Sequence, residues 1–440
     1  MATPAPAPPP APLVVELEGV LMRTDTLHEG LVRLLKRRPH LMPRALGWRL
    51  RGEAVLRAEL ARHVELDVSR LPYDEALVSR LTEAKAQGRR LVLATRADRR
   101  VAEAVAAHLG LFDQVLASDG ERLLSGAHRV ARLREAVGEA HEEARPLAQA
   151  RPRALLKALR VHQWAKNVLV FVPLMAAHKL TQAPLLVHAL LAFLAFSLCA
   201  SSVYVLNDLL DLDADRRHPT KRRRPFAAGD LSLGAGPWLG LGLLGTGVAV
   251  ALLVPREFLA LLGTYYAITL AYSFYLKQVV MMDVLVLAGL YTVRIFGGAL
   301  AVGVPTSSWL LTFSMFLFLS LALVKRLSEV RRLRLANETA APGRGYMASD
   351  YEQLSSLGVA SGYLAVLVLA LYITSKEVTV LYHHPERLWL LCPLMMYWVG
   401  RVWLLAHRGE VNEDPLVFAL RDKVSYAVGG IAAAVLLIAS

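Results

Sequence analysis

The chain predicts a two-domain protein, a soluble α/β region followed by an all-α transmembrane bundle of about nine helices. Three observations carry that expectation. The 440 residues are 55% hydrophobic and only 20% charged, with a positive mean hydropathy, which is too apolar for a chain soluble throughout. Residues 13–150 alternate short β-branched runs with charged helical stretches. Residues 153–440 are a succession of apolar segments of span length.

Residues 1–12, MATPAPAPPPAP, lack the basic start and apolar stretch of a signal peptide, and their prolines favour an extended, disordered tail. Then come a strand-like LVVEL, a long Arg-rich helical region, a second strand RLVLAT, and helix and strand again up to about Glu143. The segment EEARPLAQARPRALL, residues 142–156, has prolines and charges without an apolar period, the mark of a linker or interfacial helix. Windows of about 20 residues place spans near 165–180, 185–206, 235–254, 257–275, 280–302, 307–326, 356–375, 388–406 and 424–439. The first is the weakest, because it holds Lys166, Asn167 and Pro173.

Lys and Arg crowd the loops after the second and sixth spans, so those loops are expected on the cytoplasmic side of a plasma (inner) membrane. The N-terminal region then shares that side, and the C-terminus lies outside. The net charge of +13 has no aromatic-rich basic face with it, so the partners expected are the bilayer, a polyprenyl lipid and a phosphorylated or diphosphate donor, not nucleic acid. Cys199 and Cys392 each lie inside an apolar run, with neither disulfide-like nor metal-ligand spacing.

The chemistry concentrates at residues 203–230, VYVLNDLLDLDADRRHPTKRRRPFAAGD. Asn207, Asp211 and Asp215 recur every fourth residue, and Asp208 falls on the same side of a helix at three- and seven-residue spacing from the other two aspartates. Several carboxylates on one face at a lipid-adjacent helix end are costly unless a cation sits on them, and hard oxygen ligands favour Mg²⁺. Asp208, Asp211 and Asp215 are therefore the expected metal-holding and catalytic residues. Behind them Arg216, Arg217, Lys221, Arg222, Arg223 and Arg224 supply donors for phosphate oxygens. Further candidates for a diphosphate clamp are Tyr272 and Lys277 after the fourth span, Arg294 within the fifth, and Lys325, Arg326 and Glu329 at the end of the sixth. Arg294 stands out because a permanent charge inside an apolar span faces a cavity or a partner.

NDLLDLDAD fits the NxxxDxxxD motif of the UbiA-type intramembrane prenyltransferase superfamily, and residues 153–440 resemble it in span count. The resemblance implies an all-helical, Mg²⁺-using enzyme that transfers a prenyl group from its diphosphate to an aromatic or other acceptor. LRVHQWAKNVLVFVPL, HPTKRRRPFAAGDLS, YSFYLK, KRLSEV and EDPLVFALRDKVS are similar to one branch, the decaprenyl-phosphate phosphoribosyltransferase group. That similarity implies phosphoribosyl diphosphate as donor and a polyprenyl phosphate as acceptor. By position it assigns Asn207, Asp208, Asp211 and Asp215 to metal and diphosphate, and Lys221, Arg222, Lys325 and Arg326 to phosphates. The second DxxxD motif of the prenyltransferases is missing after the sixth span, where Lys325 to Glu329 stands instead. More cations and fewer carboxylates suit substrates that together bring more phosphates. The alternatives are prenyl transfer to an aromatic or other acceptor, and a lipid transporter or scaffold with no chemistry.

VVELEGVLMRTD, residues 14–25, resembles the first motif of haloacid-dehalogenase-like phosphatases, with Glu16 and Glu18 in place of two aspartates and Val20 in place of the threonine. Thr95 matches the second motif, His128 and Arg129 stand where a lysine belongs, and no later acidic strand is evident. A phosphoaspartyl mechanism needs its nucleophile within about 0.5 Å of the productive position, so this region is expected to be non-catalytic.

Overall fold

The computed structural model describes residues 10–146, 153–340, 344–411, 415–419 and 421–439. Most of the expected Pro/Ala tail, the middle of the expected linker (147–152) and residues 413 and 414 of the EDPLVF string lie outside them. The chain divides into two compact units, one of residues up to Arg160 with Tyr204–Gly242, the other of Val161–Val203 with Leu243–Ser440. The boundary therefore falls inside the long helix Ala183–Leu210, and the acidic motif belongs to the same unit as the α/β region.

In the first unit four parallel strands, β1 (Leu13–Glu16), β2 (Leu91–Asp98), β3 (Gln114–Ser118) and β4 (Glu142–Glu143), lie in the order β3-β2-β1-β4. β1 and β2 are apolar on both faces, as parallel strands covered on both sides must be, and Val14, Val15, Leu91, Val92 and Leu93 are buried. Glu16 pairs in register with Ala94, so it stands at the C-terminal edge of the sheet, where open α/β sheets bind ligands. Helices start where the sequence supplies caps: Asp25 accepts from the Leu27 N–H at 2.7 Å to open Thr26–Arg37, and Asp74 accepts from Leu77 to open Glu75–Ala86. β4 is an acidic strand that sequence pattern alone missed. Two residues are too short to show a period, and only pairing of Leu13 with Glu142 and Val14 with Glu143 reveals it.

The second unit is helical. Among the described residues, five helices are long and apolar enough to cross a membrane: Ala183–Leu210, Met282–Val302, Ser308–Leu335, Ala348–Ile373 and Pro385–Arg408. Ala235–Ala251 and Lys423–Ala439 are shorter apolar helices, and Arg256–Phe274 covers the expected fourth span. The expected first span is not a continuous α-helix. Residues Val161–Phe171 wind as a tight 3₁₀ segment, and Val172–Ala176 is a single short helix whose first turn holds Pro173.

Helices in lipid associate through small residues and buried polar contacts, and both occur here. A methyl group added at Gly298 would lie 2.0 Å from the Val170 carbonyl oxygen, so the 3₁₀ segment lies directly on the backbone of Met282–Val302. One added at Gly358 would lie 2.1 Å from the Trp403 ring. Beside it the Trp403 indole donates to Ser320 Oγ at 2.9 Å, and that hydroxyl donates to the Gly358 carbonyl at 2.7 Å.

Candidate active site

The acidic motif keeps helical spacing through a local break. Asp211 N–H donates to the Asn207 carbonyl and Asp215 N–H to the Asp211 carbonyl, each at 2.8 Å, while Asp211 itself leaves helical geometry at the residue before the short helix Leu212–Arg217. The break sorts the carboxylates. Asp208 and Asp215 are buried and share a single cation: Arg224 Nη1 lies 3.2 Å from Asp208 Oδ1 and 2.7 Å from Asp215 Oδ2. Arg160 also pairs with Asp208. Burial pushes the Asp215 carboxyl above its usual range, against the opposing pull of Arg224. Asp211 is more open and meets Lys36 Nζ at 3.3 Å, and Asp213 is paired by Arg33 at 2.6 Å and Arg37 at 3.2 Å.

Behind this turn lies a buried ionic knot. Arg216 donates from Nη2 and Nη1 to the two carboxylate oxygens of fully buried Glu29 at 2.6 and 3.0 Å, and from Nε to the Ala227 carbonyl at 3.1 Å. Arg33 also pairs with Glu29. Burial alone would raise the Glu29 carboxyl, but the two guanidiniums outweigh it and hold it below the usual range.

Among the described residues, no three His, Cys, Asp or Glu side chains gather in an arrangement that could hold a metal. The expected trio Asp208, Asp211 and Asp215 is therefore not assembled around one point. Asp208 and Asp215 are, with a guanidinium nitrogen between them. Mg²⁺ is commonly held by one or two carboxylates, with substrate phosphates and waters completing its shell, and this pair suits such a partial site. Lys221 and Arg222 lie on an exposed turn, Lys221–Arg223.

The helical unit holds a second charged cluster. Arg326, fully buried, forms ion pairs with Asp283 at 2.7 Å and with Glu329, and Arg344 reaches Asp283 at 2.9 Å and Glu329 at 3.4 Å. Tyr346 OH donates to Asp283 at 3.0 Å. Of the sequence candidates this brings Arg326 and Glu329 together. Lys325 is half-buried one residue away, and Lys277 sits on a 3₁₀ turn after Arg256–Phe274. Arg294 is spent inside its own unit, donating to Asn167 Oδ1 at 2.7 Å, to Tyr265 OH at 2.9 Å and to the Leu290 carbonyl, with the Tyr265 and Tyr291 rings beside it. Asn167 in turn donates to Ser197. This arrangement ties the 3₁₀ segment to the helices around it.

Residues that sequence reasoning missed include Arg160, Arg344 and Tyr346, and the basic face of Thr26–Arg37. Glu29, Arg33, Lys36 and Arg37 fall at four-, seven- and eight-residue spacing, a helical stripe legible in the sequence that reads by itself as a solvated face.

At the sheet edge, Glu16 lines a cavity of about 1230 Å³ together with Arg80, Arg96, Arg129, Glu143 and Arg145. Arg129 lies 3.4 Å from Glu16 and 2.9 Å from Glu143, so an arginine stands at the lysine position and β4 supplies the acidic strand. Burial raises the Glu16 carboxyl to about 7, with Arg129 opposing, and its Oε1 finds no hydrogen-bond partner among the described residues. Glu18 is held by Arg57 at 2.6 Å and accepts from the Thr26 N–H and hydroxyl. Thr95 Oγ1 accepts from the Ala97 N–H. Of the two glutamates at the phosphatase-like positions, Glu18 is thus engaged by a buried guanidinium, while Glu16 faces Arg129 across 3.4 Å.

Comparison with known proteins agrees with the sequence motifs. The model of the UbiA prenyltransferase family matches residues 168–422, and that of haloacid dehalogenase-like hydrolases matches residues 20–170. An uncharacterized protein of Sinorhizobium fredii, y4nM, is 35% identical over 97% of this chain and 91% of its own length. Nodulation protein NoeC of Azorhizobium caulinodans is 38% identical over 60% of this chain and 86% of its own. Decaprenyl-phosphate phosphoribosyltransferase of Mycolicibacterium smegmatis is 36% identical over 47% of this chain and 67% of its own. Among solved structures, a UbiA homolog from Archaeoglobus fulgidus bound to GPP and Mg²⁺ matches 65% of this chain and 98% of its own, at 17% identity and a TM-score of 0.47.

Proposed function

Because the chain belongs to the UbiA prenyltransferase family and is a multi-pass membrane protein, we propose that it is a membrane transferase acting on a diphosphate donor, with phosphoribosyl transfer to a polyprenyl phosphate as its reaction. One observation carries this reading: two buried aspartates, Asp208 and Asp215, are brought to a single cationic nitrogen of Arg224 at the mouth of an arginine-rich turn. The pair suits a divalent cation, and the turn suits the phosphate oxygens that cation would share.

A bound Mg²⁺ would neutralise charge developing on the leaving diphosphate. The remaining work falls to the chain. Arg224, Lys221 and Arg222 orient and neutralise phosphate oxygens, and Arg160 pairs with Asp208. The bond from the anomeric carbon to the diphosphate oxygen breaks, diphosphate leaves with the electron pair, and an acceptor phosphate oxygen bonds to that carbon. Shielding the cation-like centre from water and aiming the acceptor are the principal demands on the protein. The arginine-rich composition of both charged clusters favours phosphoribosyl over prenyl transfer, because both substrates then carry phosphate. The 36% identity to decaprenyl-phosphate phosphoribosyltransferase supports the same choice.

In this reading the acidic motif and the N-terminal region face the cytoplasm and the C-terminus lies outside. The N-terminal region is read as non-catalytic, since glutamates stand at both aspartate positions and one of them, Glu18, is bound by Arg57. The test is incubation of the full-length protein in vesicles with labelled phosphoribosyl diphosphate or a prenyl diphosphate, each with a polyprenyl phosphate or an aromatic acceptor, with and without Mg²⁺. Product only from phosphoribosyl diphosphate and polyprenyl phosphate supports the proposal. Product only from a prenyl diphosphate replaces it with prenyl transfer.

A further inference from the structure

We propose that the helix Thr26–Arg37 of the α/β region is a positioning element for the acidic motif, and that its Lys36, by neutralising Asp211, weakens the hold of the neighbouring Asp208–Asp215 pair on a cation. For its catalytic arm this rests on the function proposed above.

The stripe Glu29, Arg33, Lys36 and Arg37 on that helix meets the motif at successive points. Glu29 fixes Arg216 with a two-pronged hydrogen bond at 2.6 and 3.0 Å, and Arg33 reaches Asp213 at 2.6 Å. Arg216 and Asp213 flank Asp215 in sequence, so the turn that carries this carboxylate is gripped on both sides. Thr24 Oγ1 donates to Glu29 at 2.8 Å and Arg216 Nε donates to the Ala227 carbonyl, which leaves the knot little freedom to turn. Apolar side chains of similar size would fill such a space without the desolvation penalty of several buried charges. What the charged knot adds is direction: a fork of two parallel N–H bonds holds one orientation, where packing alone would tolerate several.

The outer half of the stripe differs in kind. Lys36 and Asp211 are each more than a third exposed, so their pair is open to water and to ions. A lysine ammonium 3.3 Å from Asp211 Oδ1 neutralises a carboxylate whose charge would otherwise add to the motif's attraction for a cation. The inner contacts act as a clamp and Lys36 as a latch.

The test uses the full-length protein in detergent, with Mn²⁺ binding followed by electron paramagnetic resonance in the absence of any substrate, and donor turnover measured against Mg²⁺ concentration. Lys36→Ala should bind Mn²⁺ about two- to fivefold more tightly, the range an exposed ion pair commands, and should lower the half-saturating Mg²⁺ concentration similarly. Arg44→Ala, which removes an exposed charge of the same region, should leave Mn²⁺ affinity at the wild-type value. Arg216→Lys keeps the charge but loses the fork, and should lower kcat at least about tenfold with a smaller change in donor KM, as expected where geometry is lost and binding is kept. Should Arg216→Lys fail to fold, Arg33→Lys, which loosens the grip on Asp213, is read for the same loss of kcat, and wild-type kcat there overturns the clamp. Unchanged Mn²⁺ affinity in Lys36→Ala, or no Mn²⁺ binding by the wild type, overturns the latch. Wild-type kcat in Arg216→Lys overturns the clamp. If no donor is turned over while Lys36→Ala still tightens Mn²⁺, the proposed reaction fails and the latch stands.

Discussion

Replacing Arg224 with glutamine should move cation affinity and catalysis in opposite directions. In the folded protein its Nη1 neutralises Asp208 and Asp215 together, at 3.2 and 2.7 Å, in a place where both carboxylates are buried. Breaking a buried ion pair by removing one partner costs about 3–5 kcal/mol. The Arg224 side chain is 27% exposed and Arg160 still serves Asp208, so a figure of about 2–3 kcal/mol is appropriate here. Two consequences follow from that one number. Without divalent ions the variant should melt at a lower temperature than the wild type. With them, the freed carboxylate pair should bind Mn²⁺ or Mg²⁺ more tightly, by up to about one to two orders of magnitude, since each 1.4 kcal/mol is about tenfold. Turnover should nevertheless fall, because a donor for diphosphate oxygens has gone. Thermal melting across a Mg²⁺ titration, Mn²⁺ binding and steady-state kinetics on one preparation separate these effects. Weaker metal binding in Arg224→Gln would refute the reasoning, for it would mean that Arg224 supports the carboxylates and does not stand in for a cation between them.

The Glu16 carboxyl, raised from 4.5 to about 7, keeps its proton in the folded state over a range where the unfolded chain has lost it, so stability should decline as pH rises from about 4.5 to about 7. Glu16→Gln should flatten that decline and stabilise the protein at pH 8 by about 1–2 kcal/mol, after discounting for its partial exposure, as read from melting against pH. Arg326→Met leaves Asp283 and Glu329 with one of their two guanidiniums, Arg344, and should destabilise by about 3 kcal/mol in detergent melts; a variant that melts with the wild type would show that the remaining partners suffice. Gly298→Ala places a methyl 2.0 Å from the Val170 carbonyl and should cost at least about 1–3 kcal/mol, measured the same way.

The fold was legible where chemistry repeats. Val-rich strands, span-length apolar runs and the four-residue acidic spacing each announce an element, and LVVE, RLVLAT and NDLLDLDAD lie where the pattern places them. Legibility ends where tertiary pairing decides. β4 is two glutamates that become a strand only beside β1, and the first expected span winds as a 3₁₀ segment because Pro173 and the buried Asn167 interrupt it. In the candidate site, helical spacing brought out the aspartates but could not tell that Asp211 breaks the helix, sending Asp208 and Asp215 to Arg224 and Asp211 to Lys36. Partners 175 residues apart in the chain, such as Lys36 and Asp211, leave no local signal. Arg294 shows the converse: an intramembrane charge is a sound pointer to a polar partner, and the partners here are Asn167 and Tyr265.

In the proposed reaction Asp208 and Asp215 jointly serve a diphosphate donor. The most direct test of that role is the mass of the lipid formed by full-length protein in vesicles from phosphoribosyl diphosphate and a polyprenyl phosphate, comparing wild type with Asp208→Asn and Asp215→Asn. The wild type should yield phosphoribosylated lipid only when Mg²⁺ is present, and each variant should lose about a hundredfold or more of that rate while still inserting. Undiminished product from both variants, or from wild type in chelator, would contradict the account.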